Sequence, residues 1–251
     1  PDAPLPEVLL YGNGQIARML FHFMRPTHRV VAFTVDRALI TETAYEGVPI
    51  VPFEEIESLY PPGRYPMIIA VGFVDMNRVR AARYAEAKGK GYRFINYIHP
   101  SVVMHDNLKL GENIVLLDHV SVHPGTSIGD STFICSNTNI GHGCRIGDNC
   151  WINAGVAVAG ETTIGDNTFI GINAAIGDNL QVANYDRITR GDAIDLLSGF
   201  LPPTPACAGW PGAVENFLRL NYNVQRTHMG PWSPYMLDIC DELGLMLIGE
   251  S

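Results

Sequence analysis

The chain has 251 residues, 47% of them hydrophobic, with 17 Lys and Arg against 26 Asp and Glu for a formal net charge of −9. That acidity argues against a nucleic-acid surface, which needs clustered cations to displace counterions from phosphates, and no apolar run approaches the roughly 20 residues of a membrane span. The start, PDAPLPEVLLYG, lacks the basic region of a secretory signal, so a cytoplasmic location is the default expectation.

The first elements read as a strand, a glycine turn and a helix in EVLLYGNGQIARMLFHFM, then a second strand, RVVAFTVD. Gly12, Gly14 and Ala17 form GxGxxA. The first glycine permits a tight turn, the second lets a phosphate approach backbone N–H groups, and the alanine lets the helix sit close to the strand. Asp36 closes the second strand, and a third, MIIAVG, ends at Gly72 ahead of a helix carrying Arg78. The segment is too short for the two-half dinucleotide fold. Residues 1–97 therefore read as a Rossmann-like mononucleotide handle, with Gly12, Gly14, Gln15, Asp36, Gly72 and Arg78 as substrate-binding candidates.

From Ile98 an aliphatic residue recurs at every sixth position, through Met104, Leu110, Leu116, Val122, Ile128, Ile134, Ile140, Ile146, Ile152, Val158, Ile164, Ile170, Ile176 and Val182. Four places after each anchor the residue is small or β-branched (Thr126, Thr132, Cys144, Thr162), and the place after the anchor is often Gly. Neither an α-helix nor an alternating strand has that period. A prism of short strands has it: each strand turns one aliphatic side chain inward, and Gly, Asn or Asp relieves strain at the corners. Three faces make a coil of about 18 residues, and residues 98–187 then stack into about five coils, a column about 24 Å tall. The fold class expected is an α/β Rossmann-like domain followed by a left-handed parallel β-helix.

The five cysteines (Cys135, Cys144, Cys150, Cys207, Cys240) form no CxxC pair and read as buried thiols. His105 and His123 fall one coil apart in one column and His119 stacks under Asn137, but no two histidines here are spaced by five, as in the β-helix carbonic anhydrases. Stacked polar side chains without a metal are the reading. His142, two places after Ile140, should project away from the prism interior. A histidine there can accept a proton near neutral pH, since its ordinary pKa is about 6.5.

After Asp186 the hexad frame ends, and LLSGFLPPTPACAGWPG reads as a Pro and Gly rich linker. Residues 188–251 make a short α/β tail: AVENFLRLN and SPYMLDICDELG as helices, YNVQRTH and LMLIGES as strands.

The GxGxxA handle, the link FINYIHPSVV and the hexads IGDNCW, INAGVA and IGDNTF together resemble the hexapeptide-repeat sugar acetyltransferases of the sialic-acid and bacillosamine type, over residues 7–187. The resemblance implies a homotrimer that binds a nucleotide-linked sugar on the first domain and acetyl-CoA in the groove between β-helices, and transfers the acetyl group to an amino or hydroxyl group. It makes His142 the general base and assigns Trp151 and Gly160 to the acyl donor. Several positions depart from the family pattern: Gly143 replaces the carboxylate after the histidine, Trp151 a second histidine, Gln15 the glycine-turn histidine, and the closing GxPA motif is missing. Glu161, one coil beyond Gly143, is the substitute carboxylate expected to orient the imidazole. A non-catalytic β-helix trimer, or a fused relative that only binds sugar nucleotide, is the alternative. The tail from NVQRTHMGPWSPYM to LMLIGES resembles a piece of the barrel of family-2 glycoside hydrolases over about residues 213–251, which implies strand-end positions for Arg226, His228 and Glu250. Two βα units cannot supply such a barrel's site.

Overall fold

The computed structural model describes residues 4–188 and two strands in the tail, Val224–Thr227 and Met246–Gly249, which pair in parallel. Both strands fall where the sequence reads YNVQRTH and LMLIGES. The linker, the tail's expected helices, Cys207, Cys240, His228 and Glu250 lie outside the described residues.

The chain opens with β1 (Glu7–Tyr11), α1 (Gln15–Met24) and β2 (Arg29–Val35). Helix α1 buries Ala17, Leu20, Phe21 and Met24, a spacing that puts one stripe on the sheet, and Pro26 follows its end. A short antiparallel pair, β3 (Ala44–Tyr45) and β4 (Val48–Pro52), comes next, then a turn of helix α2 (Ile56–Leu59), β5 (Met67–Ile69) and α3 (Arg78–Gly89). The sheet runs β3-β4-β2-β1-β5, and β4, β2, β1 and β5 are mutually parallel. The strand order reverses at β1, so a crevice opens where β1 and β5 diverge at their C-terminal ends.

From Tyr97–Ile98 to Arg187–Ile188 the chain winds through three parallel sheets of six, five and five two-residue strands. Each strand pairs with the one eighteen residues on: Ile128 lies beside Ile146, and Ile146 beside Ile164. The anchors form one continuous interior, with Ile128, Ile146 and Ile164 buried. This is the left-handed β-helix that the repeat predicts. The frame does not stop at Asp186: Ile188 is one more buried anchor, paired beside Ile170.

The corners use mostly Asn and Gly, as the sequence reading expects, and do so in one fixed register. The left-handed residue of each corner lies three places after the anchor, at Asn113, Ser131, Asn137, Asn149, Glu161, Asn167 and Asn173 among others, with Gly125, Gly143 and Gly155 in the same register. Asn is frequent there because its short polar side chain tolerates positive φ. The glycines directly after the anchors have no such backbone. Gly129 is required by crowding: a Cβ there would collide with the Asp148 carboxylate and lie 2.7 Å from the Gly147 carbonyl carbon. That carboxylate accepts the N–H of Asp130 at 2.8 Å, and the same pattern recurs at Asp130, Asp166 and Asn184 as one ladder along an edge. The residue four after the anchor turns its hydroxyl or thiol to a carbonyl of the next coil, Thr126 to Gly141, Thr162 to Gly177 and Cys150 to Gly165. Burial pushes the Cys150 thiol up to about 12, so these cysteines are neutral hydrogen-bond donors in threonine positions.

One face of the prism is docked. Its outward column, Tyr97, Val115, Phe133, Trp151 and Phe169, packs with Val8, Leu10, Phe21 and Met24 of the first domain into a shared core. Phe133 and Trp151 stack at 4.3 Å. Helix α3 lies along the adjoining edge, where the fully buried Arg80 donates to the carbonyls of Ser131, Asn149 and Cys150, and burial pushes its guanidinium down to about 10. Asp75, Met76 and Asn77, all at positive φ, lead into this helix, and Asn77 is fixed by donating to the Asn167 and Thr168 carbonyls.

Candidate active site

Two places in the molecule gather the predicted residues. The first is a cleft of about 510 Å³ at the crevice between β1 and β5, lined by Gly12, Gly14, Gln15, Asp36, Gly72 and Arg83 among others. Gly12 sits at φ +122°, and a Cβ on it would lie 2.8 Å from the Ala70 carbonyl oxygen, so only glycine lets the chain turn here. Helix α1 begins at this turn with no side-chain cap on its first N–H groups. Those donors and the helix dipole suit an anion.

At the other end of the cleft Asp36 accepts the Tyr11 hydroxyl at 2.7 Å and pairs with Arg83, which also holds Glu86. Burial, and then the bond to Asp36, push the Tyr11 hydroxyl far above its ordinary value, so it remains a donor. Five of the six substrate candidates line this cleft. Arg78 does not: it is exposed, paired with Asp75 and set over the Tyr185 ring. Arg83, five residues further along the same helix, is the cation in the cleft, on the helix face that Val79, four residues before it, also turns to the cleft.

The second place is the edge between the two undocked faces, at the corner joining Asn139–Ile140 to Arg145–Ile146. His142 is exposed there, as its offset from Ile140 predicts. Its ring lies against Gly160 of the next coil, where a Cβ would stand 2.7 Å from Nδ1 and 2.8 Å from Nε2. Gly160 thus makes room for the imidazole, a role that the stacking arithmetic contains, since 160 is 142 plus one coil. The Glu161 N–H donates to the His142 carbonyl at 2.8 Å. The Glu161 carboxylate itself sits over Gly143, where a Cβ would meet its Oε1 at 2.5 Å, and it forms no ion pair with the imidazole within the described residues. The backbone bond is the one each corner makes, and the expected contact of the carboxylate with the imidazole is absent among the described residues.

Trp151 lies elsewhere. It is buried in the docked face between Phe133, Phe73 and Arg80, with its indole N–H on Asn153 at 3.2 Å. It cannot meet an acyl donor on the His142 edge without leaving the core. The 18-residue column of large apolar residues running through it was the sequence signal for a docked face. His105 and His123 stack with ring centroids 5.3 Å apart, and among the described residues no three His, Cys, Asp or Glu side chains gather as a metal site. No described helix is long and apolar enough to cross a membrane.

Comparison with known proteins agrees with this architecture. The bacterial transferase hexapeptide (six repeats) family model matches residues 125–160 and 143–178. No curated protein sequence matches the chain. Among solved structures, PerB from Caulobacter crescentus in complex with CoA and GDP-perosamine is similar at 25% identity and a TM-score of 0.67, over 76% of this chain and 89% of that one. A histidine mutant of the perosamine N-acetyltransferase from the same organism, also with CoA and GDP-perosamine, gives 24% and 0.68 over the same shares. The acetyltransferase domain of PglB from Neisseria gonorrhoeae gives 21% and 0.67, over 74% of this chain and 89% of that one. The chain thus carries a hexapeptide-repeat acetyltransferase fold related to enzymes of nucleotide-linked amino sugars.

Proposed function

We propose that this chain is a CoA-dependent acyltransferase that acetylates an amino or hydroxyl group on a nucleotide-linked sugar, with His142 as general base. The observation that carries the reading is the pairing, in one fold, of an anion-ready glycine-turn cleft with an exposed imidazole seated on a coil edge against Gly160. The solved relatives that share both halves of the fold were captured with CoA and a GDP-sugar, which supports the same pair of ligands here.

In this reaction the acceptor's lone pair attacks the acetyl carbonyl carbon while its proton passes to an imidazole nitrogen of His142. The tetrahedral intermediate collapses with cleavage of the C–S bond, and the imidazolium returns its proton to the departing CoA sulfur. Loss of a carboxylate next to the imidazole removes one means of stabilising the imidazolium, which predicts a modest turnover rather than a different chemistry. No metal takes part in this scheme.

The cleft belongs to the domain on the docked face, whereas His142 lies on the opposite edge of the prism. This separation supports a homotrimer in which one subunit's nucleotide cleft faces the His142 edge of the next. The test is kinetic. Replacing His142 with Ala is expected to lower kcat by about 10²–10⁴-fold while nucleotide binding by calorimetry is unchanged. Undiminished turnover would remove the histidine from the mechanism, and absence of acetyl-CoA binding to the unaltered chain would leave only a sugar-nucleotide-binding module.

A further inference from the structure

The glycine turn at the cleft contains the only Asn–Gly pair in the chain, Asn13–Gly14. An asparagine side chain ahead of glycine can close on the backbone, because the residue that follows carries no Cβ to hinder approach to its amide nitrogen. The space here is open as well. Gly14 is exposed, a Cβ on it would meet nothing within 4 Å, and its N–H has no hydrogen-bond partner among the described residues. The Asn13 amide is held by one contact, Nδ2 donating to the Leu39 carbonyl at 3.0 Å in an exposed setting.

Two further features favour the anion that such a closure needs. Arg18 Nε donates to the Asn13 carbonyl oxygen at 3.1 Å, so a cation sits on the peptide group whose nitrogen must lose its proton. The guanidinium is fixed there by Glu42 and by the Tyr45 ring, 4.5 Å from its carbon. Gly14 is also the residue that caps α1, where the helix dipole stabilises negative charge. Corner asparagines such as Asn113 and Asn167 are buried and precede Ile114 and Thr168, whose branched side chains block the same approach.

We propose that Asn13 is a site of spontaneous deamidation, assisted by Arg18, which converts the neutral turn of the cleft into an anionic one. The Gly14 amide nitrogen gives its proton to solvent and attacks Asn13 Cγ. The Cγ–Nδ2 bond breaks, Nδ2 takes up a proton and leaves as ammonia, and a succinimide closes. Water then adds to one of the two ring carbonyls and opens the ring to aspartate or isoaspartate, so that one water is consumed and one ammonia released. Either product sets a carboxylate at the start of α1, where it competes with a phosphate for the same N–H groups and repels it. That loss of affinity rests on the nucleotide-sugar reading of this cleft; the deamidation does not.

Peptide mass spectrometry of the full chain, incubated at neutral pH, tests it. A gain of about one dalton is expected at Asn13 ahead of every other asparagine, with isoaspartate among the products. Gly14→Ala, whose φ of −80° suits alanine, should slow the reaction at least about tenfold. Arg18→Met should slow it severalfold while retaining the melting temperature. An intact Asn13 after other asparagines have reacted would overturn the proposal, and an unchanged rate in Arg18→Met would overturn the part given to the guanidinium. Calorimetry with GDP separates this from the nucleotide reading: the deamidated form, resolved by anion exchange, should bind at least about tenfold more weakly, and bound GDP should protect Asn13. Deamidation with no effect on GDP binding would overturn the nucleotide role of the turn and leave the modification in place.

Discussion

At the scale of the residue, the position of His142 is decided by an atom that is not there. The imidazole occupies the volume that a Cβ on Gly160 would fill, and Gly160 does not need glycine for its backbone, since it is not among the residues at positive φ. Gly160→Ala should therefore fold with a melting temperature close to the unaltered chain, because the clash falls on a side chain free to swing toward solvent. Its kcat should drop toward that of His142→Ala, and the two changes combined should cost no more than either alone, a non-additivity that a double-mutant cycle would show. Full additivity would mean that Gly160 acts somewhere other than on the ring.

At the scale of the element, each corner ladder is a balance between hydrogen bonding and charge. Asp130, Asp148 and Asp166 stack one coil apart, each accepting a backbone N–H from the coil below. Partial burial pushes the Asp148 carboxyl up, the Asp130 N–H pulls it down, and the Asp166 and Asp130 charges push it up again, leaving it above the ordinary carboxylate value. A carboxyl raised in the folded state stabilises the fold while protonated, and that contribution is lost as pH rises through its folded value. Asp148→Asn keeps the acceptor, as the chain itself does at Asn184 in the same column. It should raise stability at pH 7 by about 0.5 kcal/mol, and denaturant titrations should show the gain disappearing below the carboxylate range. A gain that persists in acid would point to packing rather than charge.

At the scale of the whole molecule, the two domains are joined by a cation with no carboxylate partner among the described residues. Arg80 is fully buried, and among the described residues its guanidinium meets carbonyl dipoles at three points along the docked edge and the Trp151 ring. Arg80→Met keeps the stem's bulk and strands those carbonyls, so a loss of about 2–3 kcal/mol is expected. Because α3 also carries Arg83 on its cleft side, nucleotide affinity should fall with it, which calorimetry on the folded variant would detect. Unchanged affinity would show that the docking of α3 and the shape of the cleft are independent.

The six-residue period determined the β-helix on its own, because a buried aliphatic at every sixth position is compatible with one interior and no other common fold. It also placed His142 on an outer edge and Gly12, Gly14, Asp36 and Gly72 around a crevice, since those consequences follow from offset within a short repeat and from strand ends. What the sequence could not decide was anything that depends on which neighbour fills a space. Glu161 turns over Gly143 instead of reaching the imidazole. Arg83 rather than Arg78 enters the cleft because α3 is rotated by the burial of Arg80, Tyr84 and Ala87 on its other side. Periodicity fixes where a side chain leaves the backbone; only packing between distant segments fixes what it meets there.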